Sequence, residues 1–219
     1  AFYNSLYVRY AQAMGQTDVD LPATGYQGQY VIDLAEEIAQ EFGNTFLDKP
    51  KDDAIKELGA IGLTRMLDAI RADMESLGVT YDVWFSERAL YENHQYEVAM
   101  KRLHESGFTV ERDGATWFTS SALGEDKDNV LVRSSGQPTY FAADVAYHYN
   151  KFVEREFDRV IDVWGADHQG HVQRMKSVVG ALGADPDRLT IIIYQLVTLK
   201  RSGETMRVSK RSGDLVTLR

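Results

Sequence analysis

The sequence predicts an α/β protein, and three patterns carry that expectation. Residues 140–194 alternate helical spacing with short apolar runs, Arg159–Gly165 and Leu189–Tyr194, as parallel strands joined by helices do. Residues 79–119 mix strand-like runs with a helical stretch, which makes the middle of the chain α+β. Residues 2–76 carry helical spacing only.

Taken in order, helices are expected over 2–15 and 29–42, separated by a linker with Pro22 and Gly25. The second has Val31, Leu34, Ala35, Ile38 and Phe42 on one stripe and Gly43 as its stop signal. A third helix over about 51–76 places Ile55, Leu58, Ile61, Leu63, Met66, Leu67, Ile70 and Met74 on its inner side, with Gly59 and Gly62 weakening the middle and Gly78 ending it. Val79–Phe85 reads as a strand, Ser86–Ser106 as a helix stopped by Gly107, and Thr109–Thr119 as a hairpin turning at Asp113-Gly114. An acidic turn over Gly124–Asp128 leads to a strand at Val130–Arg133 and a turn at Ser134–Pro138. Helix 140–155, strand 159–165, helix 168–183 and strand 189–194 follow, implying a parallel sheet covered on both faces with its ligand beyond the carboxyl ends of the strands.

At 219 residues and 44% apolar content the chain can bury a real core, as one large domain or two small ones. It has no cysteine, which excludes disulfides and thiolate metal sites and fits a reducing, cytoplasmic setting. No run is long enough to span a bilayer, so no membrane is expected. The net charge of −9 argues against a protein that coats nucleic acid, but the charge is uneven. Residues 1–133 hold 12 Lys/Arg against 23 Asp/Glu, residues 134–219 hold 12 against 10, and residues 199–219 hold six basic groups against two acidic ones, an excess that attracts phosphate. The chain opens without methionine and both ends fall inside patterned sequence, so a piece of a longer protein is expected.

Three places can carry chemistry. The loop Met206–Gly213 sets Arg207, Lys210 and Arg211 around the hydroxyl of Ser209; such cations can neutralise a polyphosphate, although basic turns are also ordinary solvated surface. Gly165 at a strand end lets backbone approach a ligand, and Asp167 just after it can either accept from a ribose diol or cap the next helix. Asp167, His168 and His171 could be metal ligands, since histidines three apart share a helix face, but no third strong ligand lies at a helpful spacing, so no metal is expected there. Tyr140 and Asp144, four apart, project from one helix face, where a carboxylate beside an aromatic ring suits a guanidinium; Asp144 can equally be a solvated residue paired with His148 or Lys151.

Several segments, in order, resemble arginyl-tRNA synthetase, a class I aminoacyl-tRNA synthetase. They are Val130–Ser134, Pro138–His148, Trp164–His168, Tyr194–Val197 and Arg207–Gly213, with Ser5–Tyr10 and Gly25–Tyr30 adding a likeness to segments after that family's first catalytic signature. The resemblance implies a Rossmann-like catalytic domain split by an insertion. Residues 1–45 would be a helical segment of that domain, 46–129 an α+β insertion, and 130–219 the second half of the parallel-sheet core, ending in the basic signature loop. It implies arginine, ATP with Mg²⁺ and tRNA(Arg) as substrates, no protein-bound metal, and a monomer. Carried over by position, Tyr140, Asp144 and His168 lie at the arginine; Gly165, Asp167 and Lys210 at ATP; and Arg207, Ser209 and Lys210 form the catalytic loop, usually Lys-Met-Ser-Lys-Ser. Here Arg207, Val208 and Arg211 replace its first, second and last residues, and the first signature, His-Ile-Gly-His or a variant, is nowhere in the chain. An internal fragment, inactive alone, is therefore expected. The competing expectation is a non-catalytic module that binds arginine or nucleic acid; a class I synthetase for cysteine is disfavoured by the missing cysteines and by the Tyr140/Asp144 pair.

Overall fold

The structure, a computed structural model, describes residues 1–201 and 204–205. They pack as two units, one formed by Ala1–Asp82 with the described residues from Thr198 onward, the other by Val83–Val197.

In the first unit the helical spacing becomes α1 (Phe2–Ala13), α2 (Gln29–Phe42) and α3 (Lys51–Ser76). The apolar stripe of α2 buries Val31, Leu34, Ala35 and Ile38 against Leu6 and Tyr10 of α1 and Ala54 and Leu58 of α3. Phe46, just beyond α2, packs edge-on to Tyr10 at 5.6 Å, and the Tyr10 hydroxyl donates to the carbonyl of Gly43. Gly43 takes a φ of +53°, a left-handed turn that ends α2 where its stop signal stands.

The inner side of α3 differs from expectation. Its buried residues are Ala54, Leu58, Gly59 and Gly62, whereas Leu67 and Ile70 are exposed. The two glycines are the contact itself: a Cβ on Gly62 would lie 2.1 Å from Cδ2 of the buried Leu6, and one on Gly59 would lie 2.2 Å from the Tyr3 ring. The two missing side chains let α1 come close to α3; of the expected inner residues Leu58 is buried, and Ile61 and Met66 pack against the same core. Also in this unit, β6 (Lys200–Arg201) pairs antiparallel with β7 (Glu204–Thr205).

Val79–Phe85, the end of the first unit's opening stretch and the start of the second unit, is an irregular run rather than the expected strand; Val79 and Val83 remain exposed, so burial offers no drive to join a ladder. In the second unit, the helix expected over 86–106 is two helices, α4 (Arg88–Glu92) and α5 (Gln95–Glu105), because His94 between them adopts a left-handed φ of +57°. β1 (Thr109–Arg112) and β2 (Ala115–Phe118) form the expected hairpin, with Asp113 and Gly114 both at positive φ, and β3 (Asn129–Val132) adds antiparallel to β2.

The Thr139 hydroxyl accepts from the Ala142 N–H and so caps α6 (Tyr140–Tyr149), which widens into a π-helical turn over Asn150–Glu154. β4 (Val160–Gly165) leads through a 3₁₀ turn, Ala166–His171, into α7 (Val172–Ala181), and β5 (Leu189–Tyr194) returns parallel to β4. Val145 and Ala146 of α6, Val178 and Val179 of α7, Val160 and Leu189 share one core with Leu103 and Phe118.

The double cover expected for the parallel strands is not present among the described residues. Val160 and Asp162 of β4 are buried, but Ile161 and Val163 between them are 53% and 61% exposed, as are Ile192 and Tyr194 beside them on β5 at 49% and 51%. Period-2 alternation thus separates a packed face from an open apolar one.

The α1–α3 approach yields a prediction. Replacing Gly62 by Ala improves intrinsic helix propensity by about 1 kcal/mol, yet the methyl must displace the immobile Leu6. Denaturant unfolding should show a net loss of about 1–3 kcal/mol, the usual cost of overpacking. A gain would mean that α1 can retreat without loss.

Candidate active site

A cleft of about 780 Å³ opens where α6 faces the end of β4, the 3₁₀ turn and the start of α7. Helical spacing puts Tyr140, Asp144, Tyr147, His148 and Lys151 along its α6 wall. Tyr140 stands at the rim, 86% exposed. The Asp144 carboxyl is open to solvent and forms no ion pair with a described residue. Protein crowding around it nevertheless raises its pKa; the charges of His148 and Lys151 oppose that rise, and those of Glu87 and Asp162 add to it.

The opposite wall is Ile161–Gly165 of β4 with His168 and His171. Gly165 is required by close approach, since a Cβ there would meet Oδ1 of Asp167 at 2.5 Å. Gly165 and His171, not Asp167, stand at the N-cap positions of the 3₁₀ turn and of α7, and Asp167 Oδ2 lies 3.5 Å from His168 Nε2. The His168 ring stands edge-on to Trp164 at 6.3 Å and to His171 at 5.5 Å. Partial burial, then the charges of Arg174 and His168, lower the pKa of His171. Among the described residues, no three His, Cys, Asp or Glu come together as a metal site. Nor is any described helix long and apolar enough to cross a membrane.

Of the residues singled out in the sequence, Tyr140, Asp144, Gly165 and His168 line this one cleft. Asp167 adjoins it through Gly165. Arg207, Ser209 and Lys210 lie outside the described residues.

Two functional groups escaped the sequence reading. Asp162, inside an apolar strand, is 8% exposed; His148 Nε2 lies 2.9 Å from its Oδ2, and Lys151 Nζ lies 2.6 Å from its Oδ1. Burial alone would raise its pKa, but the bonds and charges of His148 and Lys151 prevail and lower it to about 2. The signal was a carboxylate at an inward position of a strand, which has to be paired. Arg174 of α7 was overlooked as well. Its guanidinium lies 4.8 Å from the Phe141 ring centroid and donates to Asn129 Oδ1, putting a cation in the same cleft as Asp144.

A cleft along a parallel strand and its carboxyl end, with charged groups of both signs on its walls, marks an α/β domain whose site is built for a polar small molecule. The family of tRNA synthetases class I (R), catalytic domain, matches residues 24–219, and the chain belongs to that family. An arginine–tRNA ligase of Dehalococcoides mccartyi is 55% identical over all 219 residues, and one of Carboxydothermus hydrogenoformans is 50% identical over 217. The chain spans 39% of the length of each. A crystallised protein of Campylobacter jejuni assigned as an arginyl-tRNA synthetase superposes with a TM-score of 0.82 at 32% identity, over 94% of this chain and 44% of its own. Thermus thermophilus arginyl-tRNA synthetase, at 15% identity and a TM-score of 0.61 over 87% of this chain and 39% of its own, shares the fold.

The depressed pKa of Asp162 sets a pH dependence. Its folded value near 2 lies below the ordinary 3.8, so its stabilisation is complete above about pH 4 and lost as the pH falls toward 2. The stability gap between the native protein and Asp162→Asn should shrink across that window by on the order of 2 kcal/mol. Urea unfolding at pH 5, 4, 3 and 2 measures it, and a constant gap would refute it.

Proposed function

We propose that this chain is part of an arginine–tRNA ligase that joins arginine to ATP and passes the arginyl group to tRNA(Arg). The observation that carries the proposal is the open carboxylate of Asp144, unpaired among the described residues and in one cleft with the exposed Tyr140, in a chain of this family. A guanidinium satisfies such a site by two parallel N–H donations and by contact with the ring. His168 borders the bound arginine, and Gly165 with Asp167 receives adenosine, the glycine through its bare backbone and the aspartate through the ribose diol.

In the reaction, an oxygen of the arginine carboxylate attacks the α-phosphorus of ATP, supplied as its Mg²⁺ complex. The new P–O bond forms as the bond to pyrophosphate breaks, leaving arginyl-adenylate. A hydroxyl at the tRNA 3′ end then takes the arginyl group and AMP departs. Lys210, with Arg207 and Ser209, stabilises the charge shifting onto pyrophosphate. Arg207 keeps the charge of the lysine usual there but presents a planar fork.

The open apolar face of β4 and β5 supports the finer fold reading, in which residues 130–219 are the second half of a Rossmann-like sheet whose other strands lie elsewhere in the parent. Residues 1–45 are then a helical part of the catalytic domain and 46–129 the α+β insertion. The parent works in the cytoplasm as a monomer.

Two outcomes test this function. In the full-length parent, Asp144→Asn should raise the KM for arginine by ~100-fold, the worth of a charge-assisted pair, and leave the KM for ATP within threefold; an unchanged arginine KM removes the guanidinium assignment. The 219-residue chain alone, given tRNA, should show no arginine-dependent ATP–pyrophosphate exchange, and robust exchange would show that a complete catalytic site lies within it.

A further inference from the structure

The cleft holds two carboxylates on facing walls, Asp144 on α6 and Asp162 on β4, and only one of them is open. Asp162 is engaged on both oxygens, by His148 at 2.9 Å and by Lys151 at 2.6 Å. The His148 ring is 3% exposed, and its other nitrogen, Nδ1, lies 2.8 Å from the backbone carbonyl oxygen of Asp144, one helical turn earlier. That oxygen can only accept. Asp162, as a carboxylate, can also only accept, so both bonds form together when each ring nitrogen carries hydrogen.

The imidazole ring is therefore a strut. One end holds the backbone of the residue that would receive the substrate, and the other is fixed to the strand across the cleft. Lys151 braces the same carboxylate, and its ammonium lies 4.3 Å from the Tyr147 ring centroid. Tyr147 in turn stacks on Phe85 at 4.3 Å with an interplanar angle of 17°. The π-helical turn that starts at Asn150 carries Lys151.

We propose that His148 is a positioning residue for arginine: by bridging the Asp144 carbonyl to Asp162 it fixes the distance between α6 and β4, and with Lys151 it occupies the second carboxylate so that Asp144 alone receives the guanidinium. The proposal rests on the assignment of Asp144 to the guanidinium. Without the strut, α6 loses its tether to β4 beside Asp144, and Asp162 keeps one cation in place of two. An approach distance changed by a fraction of an ångström is enough to weaken a bidentate pair.

The test is a double-mutant cycle in the full-length protein, with KM for arginine, KM for ATP and kcat measured by pyrophosphate exchange, and thermal unfolding recorded for every variant. His148→Gln should raise the arginine KM by ~10-fold while the ATP KM and kcat stay within threefold. In an Asp144→Asn background the same change should raise it no further, because its route runs through Asp144. Lys151→Met, which leaves the strut in place, should raise the arginine KM less than His148→Gln does, and it replaces that variant in the cycle should His148→Gln not fold. If Asp144→Asn alone leaves the arginine KM unchanged, the guanidinium assignment fails. If Asp144→Asn raises it but the His148 and Lys151 variants leave it within twofold, or raise both KM values together, or add their full effect in the Asp144→Asn background, the positioning role fails and the assignment stands.

Discussion

A negative charge buried in the middle of a strand organises the second unit. Asp162 sits where β4 should carry another aliphatic side chain, and an isolated carboxylate at that depth would cost several kcal/mol. The cost is offset because α6 presents His148 and Lys151 to the two oxygens. Those contacts tie α6 to β4 at a level where apolar packing alone would leave the helix free to slide along its axis. Everything on the same face of α6 inherits that registration, including Asp144 one turn from His148 and Tyr140 one turn further. The cleft is thus shaped by a pairing that offsets the burial of a carboxylate in the strand.

The first unit solves a comparable problem with the opposite material. Where α6 and β4 are joined by charge, α1 and α3 are joined by the absence of side chains, at Gly59 and Gly62. Glycine costs a helix roughly 1 kcal/mol per residue, which is why these two look like weak points when α3 is considered alone. Close contact with Tyr3 and Leu6 reverses that judgement.

How much of this could be read from the sequence depended on whether a signal was local. α1, α2 and α3 were legible because helical spacing and stop signals act over a few residues, and the β1–β2 turn was legible because Asp113-Gly114 suits two consecutive positive φ values. The break at His94 was not, since nothing in its residue type demands a left-handed backbone. The run from Val79 looks like a strand because its composition suits one, but a strand exists only if another backbone pairs with it. Tyr140, Asp144, Gly165 and His168 could be picked out by residue type and spacing, and they do line one cleft. Asp162 and Arg174 could not, because their importance arises from partners 11 to 45 residues away in the chain, Lys151 and His148 for the first and Asn129 for the second.

The charges in the cleft make sense as a set. The charges of His148 and Lys151 favour the ionised form of Asp144, against the crowding and the charges of Glu87 and Asp162 that would protonate it. Arg174, over the Phe141 ring, supplies a cation on another wall of the same cleft. An anion that forms no ion pair with a described residue and a fixed cation on another wall suit a ligand that carries charges of both signs, as an amino acid with a basic side chain does. A purely cationic ligand would meet repulsion from Arg174, and a purely anionic one repulsion from Asp144, so each wall rejects what the other would admit. That selectivity needs Asp162 to stay neutralised, because a second free carboxylate would draw a second cation into the cleft and erase the distinction.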